Sequence, residues 1–234
     1  VSGSDREINS PVIGELKKLG AQIYRGHKAG QLPAGVDLVV HTTAVGPGNP
    51  EWQEAKHRGV PRFSYPEMLG QLTAGKYTIA VAGTHGKTTT TAMLAQIFRA
   101  AKLDPTVIVG SLLKPKSKNT PPTNLIIGRS KFFIVEACEY KRAFLNLSPQ
   151  ILVITNIDAD HLDYYRDLAD IQNAFAALAT RVPRSGKVIT EKQYGKIKLP
   201  IKLLVPGEHN QRNAQAALAT AKAIGVSESL ARRA

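Results

Sequence analysis

The chain has 234 residues, 43% of them hydrophobic, which leaves room for one large domain or two small ones with real cores and excludes a disordered chain. Lys and Arg number 31 against 18 Asp and Glu, and the resulting net charge of +13 points to an anionic partner such as a nucleotide or a phosphosugar. No apolar run reaches membrane-spanning length, residues 1–6 do not read as a signal peptide, and a lone Cys138 excludes an internal disulfide, so a cytoplasmic protein is expected.

Val12, Ile13, Leu16 and Leu19 recur at helical spacing and predict a helix over 9–20 that stops at Gly20. The run 36–41 reads as a strand, 42–50 as a loop, and 51–58 and 65–72 as helices. Strand alternating with helix predicts a parallel sheet. Gly75 and Lys76 mark the expected boundary between a first domain, 1–75, and a second, 76–234. There, 77–82 reads as an apolar strand running into a Gly-rich turn, and 87–102 as a helix carrying Met93, Leu94, Ile97 and Phe98. The Ile- and Val-rich runs 106–109, 124–127, 132–135 and 151–155 read as buried parallel strands. Residues 167–181 predict an amphipathic helix on Leu168, Ile171, Phe175 and Leu178. A strand is expected at 199–205 and an alanine-rich helix at 209–224, closing at Gly225. The basic residues are scattered, with groups at Lys114, Lys116 and Lys118 and at Lys192, Lys196, Lys198 and Lys202. They lack aromatic interleaving and any nucleic-acid motif, the pattern of solvated loops rather than of a nucleic-acid surface.

Residues 81–91 read VAGTHGKTTTT. The Gly-Lys-Thr ending suits a phosphate-binding loop, yet the usual G-x-x-x-x-G-K-[ST] register fails, because Val81 stands five residues before Gly86. The setting decides between a shortened loop and a chance match. Between a strand and a helix, backbone N–H groups and the helix N-terminus bind phosphate oxygens. Lys87 would then face the β- and γ-phosphates and Thr88 a magnesium ion. Open α/β sheets gather their ligands at the carboxyl ends of strands. Two more residues fall at such ends: Glu136 in VEACEY and His161 in TNIDADHLDYY. Each alone reads equally well as a capped or solvated side chain; with the loop, three strand ends converge on one site.

The segments GTHGKTTTT, EACEYKRAFLNL, TNIDADHLDYY and PGEHNQRNAQAALA together resemble the Mur ligases of peptidoglycan synthesis, and among them the members that add L-alanine. VSGSD and DLVVHTTAVGPGNPEWQEAKHRGVP resemble, more loosely, the family's UDP-substrate domain. The resemblance implies an α/β fold, with a partial Rossmann-like N-terminal domain followed by a P-loop-type central domain built on a mostly parallel sheet. It implies an ATP site of Gly83, Thr84, His85, Gly86, Lys87, Thr88 and Thr89, with Asn156, Asn210 and Asn213 around the adenine. It implies metal ligands at Thr88, Glu136 and His161, catalytic roles for Lys87, Glu136 and His161, and UDP-substrate contacts at Ser4, Asp5, Thr43 and Ala44.

ATP and Mg2+ are the implied cofactors, and UDP-N-acetylmuramate and L-alanine the implied partners. In the implied reaction ATP phosphorylates the lactyl carboxylate, and the amine of L-alanine then attacks the acyl phosphate. Two readings compete with this one: a relative that attaches a ready-made peptide to the same sugar, and a non-catalytic nucleotide-binding module. The resemblance also implies a strand and Gly-rich turn ahead of VSGSD, a longer stretch between Lys187 and Pro206, and a third domain past Ala234. Little turnover is therefore expected of these residues alone. Cys138 stands where many relatives carry aspartate, and the helix after His161 offers no clear counterpart to the carbamylated lysine of other members.

Overall fold

The structure, a computed structural model, describes residues 1–113, 122–199 and 203–234. The chain divides into two compact units, Val1–Gln71 and Leu72–Ala234. In the first unit, β1 (Ser2–Asp5) pairs in parallel with β2 (Gln22–Arg25), and α1 (Pro11–Lys18) connects them. Ser10 accepts from the Ile13 N–H and Pro11 opens the helix, so both N-terminal signals act together. Of the four apolar residues that predict this helix, only Ile13 is buried. A second parallel pair joins β3 (Val39–His41) to β4 (Arg62–Ser64) through α2 (Pro50–His57), which Asn49 caps from the Glu51 and Trp52 N–H groups. The helix α3 (Tyr65–Thr73) follows. The strand expected at 36–41 thus begins only at Val39. Strands β1, β2 and β4 carry no sequence signature, because none of their three or four residues is fully buried.

In the second unit the described strands are β5 (Tyr77–Ala82), β6 (Thr106–Leu113), β7 (Thr123–Ile126), β8 (Phe132–Glu136), β9 (Ile151–Ile154) and β10 (Lys187–Ile189). They form one sheet in the order β10-β9-β5-β8-β6-β7. The helices are α4 (Lys87–Ala100), α5 (Leu168–Ala179), α6 (Glu191–Tyr194), α7 (Glu208–Ala223) and α8 (Glu228–Arg233). Leu94 and Phe98 of α4 and Ala217 and Ala221 of α7 share one core with Ile79, Val81, Ile134 and Val153 of the sheet. The alternate residues Ala80 and Leu152 are equally buried, as is Phe175 of α5, which meets Phe144 edge-on at 5.1 Å. A sheet covered on both faces needs apolar residues at successive positions, which is why β5 and β9 read as unbroken runs.

The sheet places the site. Strand β5 lies between β8 and β9, parallel to both, with Val81 level with Glu136 on one side and Val153 on the other. The carboxyl ends of these three strands therefore meet at one edge.

One expected strand differs in kind. The run 124–127 is not a buried parallel strand: β7 pairs antiparallel with β6 at the sheet edge, and Leu125 and Ile127 are 42% and 80% exposed. An edge position has one neighbour and less cover, so apolar composition alone does not report it. Strand β10 and helices α6 and α8 are short additions without a predicted counterpart. Of the strand expected at 199–205, residues 200–202 lie outside the described residues, and the described residues flanking them carry no strand. Lys114, Lys116, Lys118 and Lys202 also lie outside the described residues. No described helix is long and apolar enough to cross a membrane.

Candidate functional site

Strand β5 ends at Ala82, and α4 begins at Lys87 with Gly86 as its N-cap. Two glycines make so short a connection feasible. Gly83 has φ +141° and Gly86 φ +82°; a Cβ at Gly83 would overlap Thr155 Oγ1, and one at Gly86 would overlap Asn213 Oδ1. The end of β9 holds the loop from the side. Asn156 Oδ1 accepts from the His85 N–H at 2.8 Å, and Asn156 Nδ2 donates to His85 O at 3.0 Å. Thr155 Oγ1 donates to the same carbonyl at 2.5 Å, and the Asp158 N–H donates to Thr84 Oγ1 at 2.9 Å. Asn156 is thus a clamp on the loop backbone, its amide engaged on both sides. No side chain caps α4, so its first-turn N–H groups present the partial positive charge of a helix N-terminus.

Lys87 and Thr88 open α4; Thr88 meets the acid that ends β8 and Lys87 an acid three residues past it. Lys87 Nζ donates to Gly83 O (2.6 Å), Thr84 O (3.0 Å) and Glu139 Oε1 (2.9 Å). Thr88 Oγ1 lies 2.9 and 3.0 Å from the two oxygens of Glu136, and the Gly110 N–H donates to Glu136 Oε2 at 2.7 Å. His161, with φ +53°, does not join this pair directly. Its Nε2 lies 3.6 Å from Glu139 Oε1 and 3.9 Å from Asp160 Oδ2. One ligand atom each from Glu139, Asp160 and His161 falls within 4.8 Å of the others. The Tyr140 ring packs against that of His161 at 4.9 Å, tilted by 45°, and its hydroxyl donates to Asp163 at 2.9 Å, which steadies the imidazole.

Of the expected site residues, Thr88 and Glu136 meet directly, whereas Lys87 and His161 come together through an acid, Glu139, that the motifs do not single out. Glu139 stands three residues after Glu136 in the same motif, and the left-handed Lys141 and Arg142 turn the chain sharply just past it. Its place in EACEY, directly after an apolar strand, is the one signal the sequence carries for it. Thr89 lies half-buried in the first turn of α4. Asn213 stands against Gly86 and donates to Asn210 at 3.4 Å, while Asn210 donates to Pro206 O at 2.8 Å. The residues fit a divalent cation: Thr88 and Glu136 offer hard oxygens side by side, and Glu139 Oε2, near Asp160 and His161, is a buried oxygen without a hydrogen-bond partner among the described residues.

Tyr165 supports the same turn from beneath. Its hydroxyl donates to Glu139 O at 2.5 Å, and burial pushes its phenol up to about 12. A phenol raised on folding stabilises the fold fully below its unfolded value of roughly 10, and that stabilisation disappears as pH climbs through the folded value. Unfolding free energy is therefore expected to fall between pH ~10 and ~12. Tyr165→Phe, which has no proton to lose there, should make the fall shallower in urea titrations run across that range.

The first unit holds a separate cleft of about 950 Å³ lined by Ser4, Asp5, His27, Ala44 and Glu51 among others; Thr43 is not part of its lining. Ser4 Oγ pairs with His27 Nδ1 at 2.8 Å and donates to Glu51, whose Oε2 lies 3.3 Å from the same His27 nitrogen. Asp5 accepts from the Glu7 N–H at 2.9 Å. Neither His27 nor Glu51 has a local sequence signal, since they lie 23 and 47 residues from Ser4.

Comparison with known proteins gives concordant results. Residues 1–77 match the profile of the Mur ligase family, catalytic domain, and residues 81–196 that of the Mur ligase middle domain. The UDP-N-acetylmuramate–L-alanine ligase of Clostridium tetani is 50% identical over 190 residues, which are 81% of this chain and 40% of that protein. The Clostridium botulinum (strain Langeland) protein of the same name is 47% identical over the same shares. The chain therefore spans about 40% of the length of the curated relatives it matches. Among solved structures, the UDP-N-acetylmuramate:L-alanyl-gamma-D-glutamyl-meso-diaminopimelate ligase of Neisseria meningitides has a TM-score of 0.85 at 26% identity, over all of this chain and 88% of that one. The UDP-N-acetylmuramate–alanine ligase of Thermotoga maritima has a TM-score of 0.79 at 28% identity, over all of this chain and 61% of that one.

Proposed function

This chain belongs to the Mur ligase family of ATP-dependent amide ligases, and we propose that it carries the ATP- and UDP-sugar-binding parts of a cytoplasmic enzyme that joins L-alanine to UDP-N-acetylmuramate. The observation that carries the proposal is the pairing at the start of α4. A lysine and a threonine open the helix, and Glu136 reaches the threonine hydroxyl from the neighbouring strand end at 2.9 Å. A magnesium nucleotide needs that combination of cation, hydroxyl and carboxylate beside orphan N–H groups.

In the proposed reaction a substrate carboxylate oxygen attacks the γ-phosphorus, ADP leaves, and the amine then displaces phosphate from the acyl carbon. Both partners of the first step are anions, so charge neutralisation is the main task of the site. Lys87 binds the β- and γ-phosphates, and the N–H groups at the start of α4 hold their oxygens. Thr88 and Glu136 would hold Mg2+, which supplies Lewis-acid polarisation of the phosphoryl group. His161 stands at the metal side, its ring fixed by Tyr140. The cleft around Ser4, Asp5 and Ala44, with Thr43 beside it, is assigned to the UDP sugar.

The second reading, a ligase that attaches a peptide to the same sugar, draws on the TM-score of 0.85 to the Neisseria structure. The 50% identity to the alanine-adding protein of C. tetani favours L-alanine. An amide-formation assay with ATP, Mg2+ and UDP-N-acetylmuramate, offering L-alanine and L-alanyl-γ-D-glutamyl-meso-diaminopimelate in competition, separates the two. The alanyl product is expected; preferential use of the peptide would establish the second reading instead.

A further inference from the structure

We propose that Glu139 is a positioning residue that holds Lys87 away from nucleotide until a divalent cation takes over its carboxylate; this rests on Lys87 being the phosphate-binding lysine. An ammonium has three N–H donors and no acceptor. Here all three are engaged, by Gly83 O, Thr84 O and Glu139 Oε1, at 2.6, 3.0 and 2.9 Å. A phosphate oxygen can reach Lys87 only by displacing one of them. Two are carbonyls of the loop that would wrap the phosphates. The third is a carboxylate only 2% exposed, in contact with a lysine side chain 15% exposed.

A buried carboxylate is costly unless it is compensated. Glu139 is compensated on one oxygen only: Oε1 has Lys87, while Oε2 has no hydrogen-bond partner among the described residues. A nucleotide that took Lys87 in the absence of metal would leave this carboxylate without its cation and set a phosphate beside it. Both changes oppose binding. A divalent cation on Glu139, Asp160 and His161, whose ligand atoms lie within 4.8 Å of one another, would supply the partner that Oε2 lacks and replace the charge of Lys87. ATP without metal therefore competes with Glu139 for the lysine, whereas ATP with metal does not. Cation and nucleotide strengthen each other's binding through one carboxylate, and such coupling is reciprocal.

The test is a set of ATP titrations in EDTA and in Mg2+ on the unmodified protein, Glu139→Gln, Lys87→Ala and the double variant. Glu139→Gln keeps the size of the side chain and its acceptor but removes the charge. Metal-free ATP affinity should rise about tenfold, the margin between a charged and a neutral partner for the lysine. The gain on adding Mg2+ should shrink to match. A merely structural role would lower both affinities together and leave their ratio unchanged. In the Lys87→Ala background the substitution should change metal-free affinity little, since the lysine competed for is gone.

Metal-free affinity that stays level or falls in folded Glu139→Gln, while Lys87→Ala binds ATP weakly, overturns the inference and leaves the nucleotide site standing. Wild-type affinity in Lys87→Ala overturns both. Glu139→Met, of similar volume and without charge, undergoes the same titrations if the glutamine variant does not fold, with the same outcomes decisive.

Discussion

Replacing Lys87 by alanine is expected to weaken Mg-ATP binding roughly 10- to 150-fold, the worth of a charge-assisted hydrogen bond of about 1.5–3 kcal/mol. No other cation lies within hydrogen-bond reach of the loop carbonyls among the described contacts, so no neighbour substitutes for it. The same substitution strips Glu139 of its partner. Removing one member of a buried ion pair typically costs about 3–5 kcal/mol of stability, and the residual exposure of Lys87 places the cost towards the lower end. Binding and folding effects can be separated with the double variant Lys87→Ala, Glu139→Gln. It should recover much of the melting temperature, because no uncompensated charge stays buried, yet not the affinity for Mg-ATP. Isothermal titration and thermal unfolding of the three proteins measure both. Full affinity in Lys87→Ala would remove loop 83–88 from the nucleotide site.

Gly83→Ala should damage the second unit severely for a single added methyl group. Its backbone, at φ +141°, lies where side chains are strained, and the added Cβ would overlap Thr155 Oγ1 and stand 3.1 Å from the backbone N and O of Asn156. Backbone strain of this kind costs about 1–3 kcal/mol, and overpacking a well-filled site costs roughly as much again. A loss of about 2–6 kcal/mol compares with a whole-domain stability of about 5–15 kcal/mol. Thr155 cannot simply rotate away, because its hydroxyl donates to His85 O at 2.5 Å and helps to shape the loop. Gly225→Ala is the control. Its φ is +85°, but among the described residues beyond its chain neighbours no heavy atom lies within 4 Å of the new Cβ, so only the left-handed strain of about 1–2 kcal/mol should appear. Urea midpoints of the two variants decide the matter, and equal losses would mean that the close approach of β9 to the loop imposes no constraint.

Both predictions depend on elements that are legible in the amino-acid sequence. Strand β5 spans Tyr77–Ala82, the predicted limits, and α4 begins at Lys87 as expected. The strand is legible because both its faces are buried, so successive apolar residues leave no alternative period to choose. The loop is legible because a left-handed backbone and a close neighbour each demand glycine, and glycine is a discrete signal. The four motifs likewise fall at the ends of strands or the start of a helix, where short polar segments interrupt apolar ones. Their order along the chain is enough for the family, which the matches over residues 1–77 and 81–196 show.

What stays hidden shares one physical character: it depends on contacts between residues far apart in the chain. Strands β1, β2, β4 and β10 have three or four residues each and almost no fully buried position, so they exist through pairing rather than propensity. The antiparallel direction of β7 is a property of its neighbour, not of its composition. The link from Ser4 to His27 and Glu51 bridges stretches with no common motif.

Glu139 is the sharpest case. By itself the sequence determined strand β5, the glycine turn after it and the start of α4, because local periodicity and glycine placement report burial and backbone conformation, and its motifs determined the family. Only the tertiary structure decided that Lys87 pairs with Glu139 and that Asn156 clamps the loop. Those choices depend on which strand ends lie side by side, and β5 between β8 and β9 is an arrangement that no local pattern encodes.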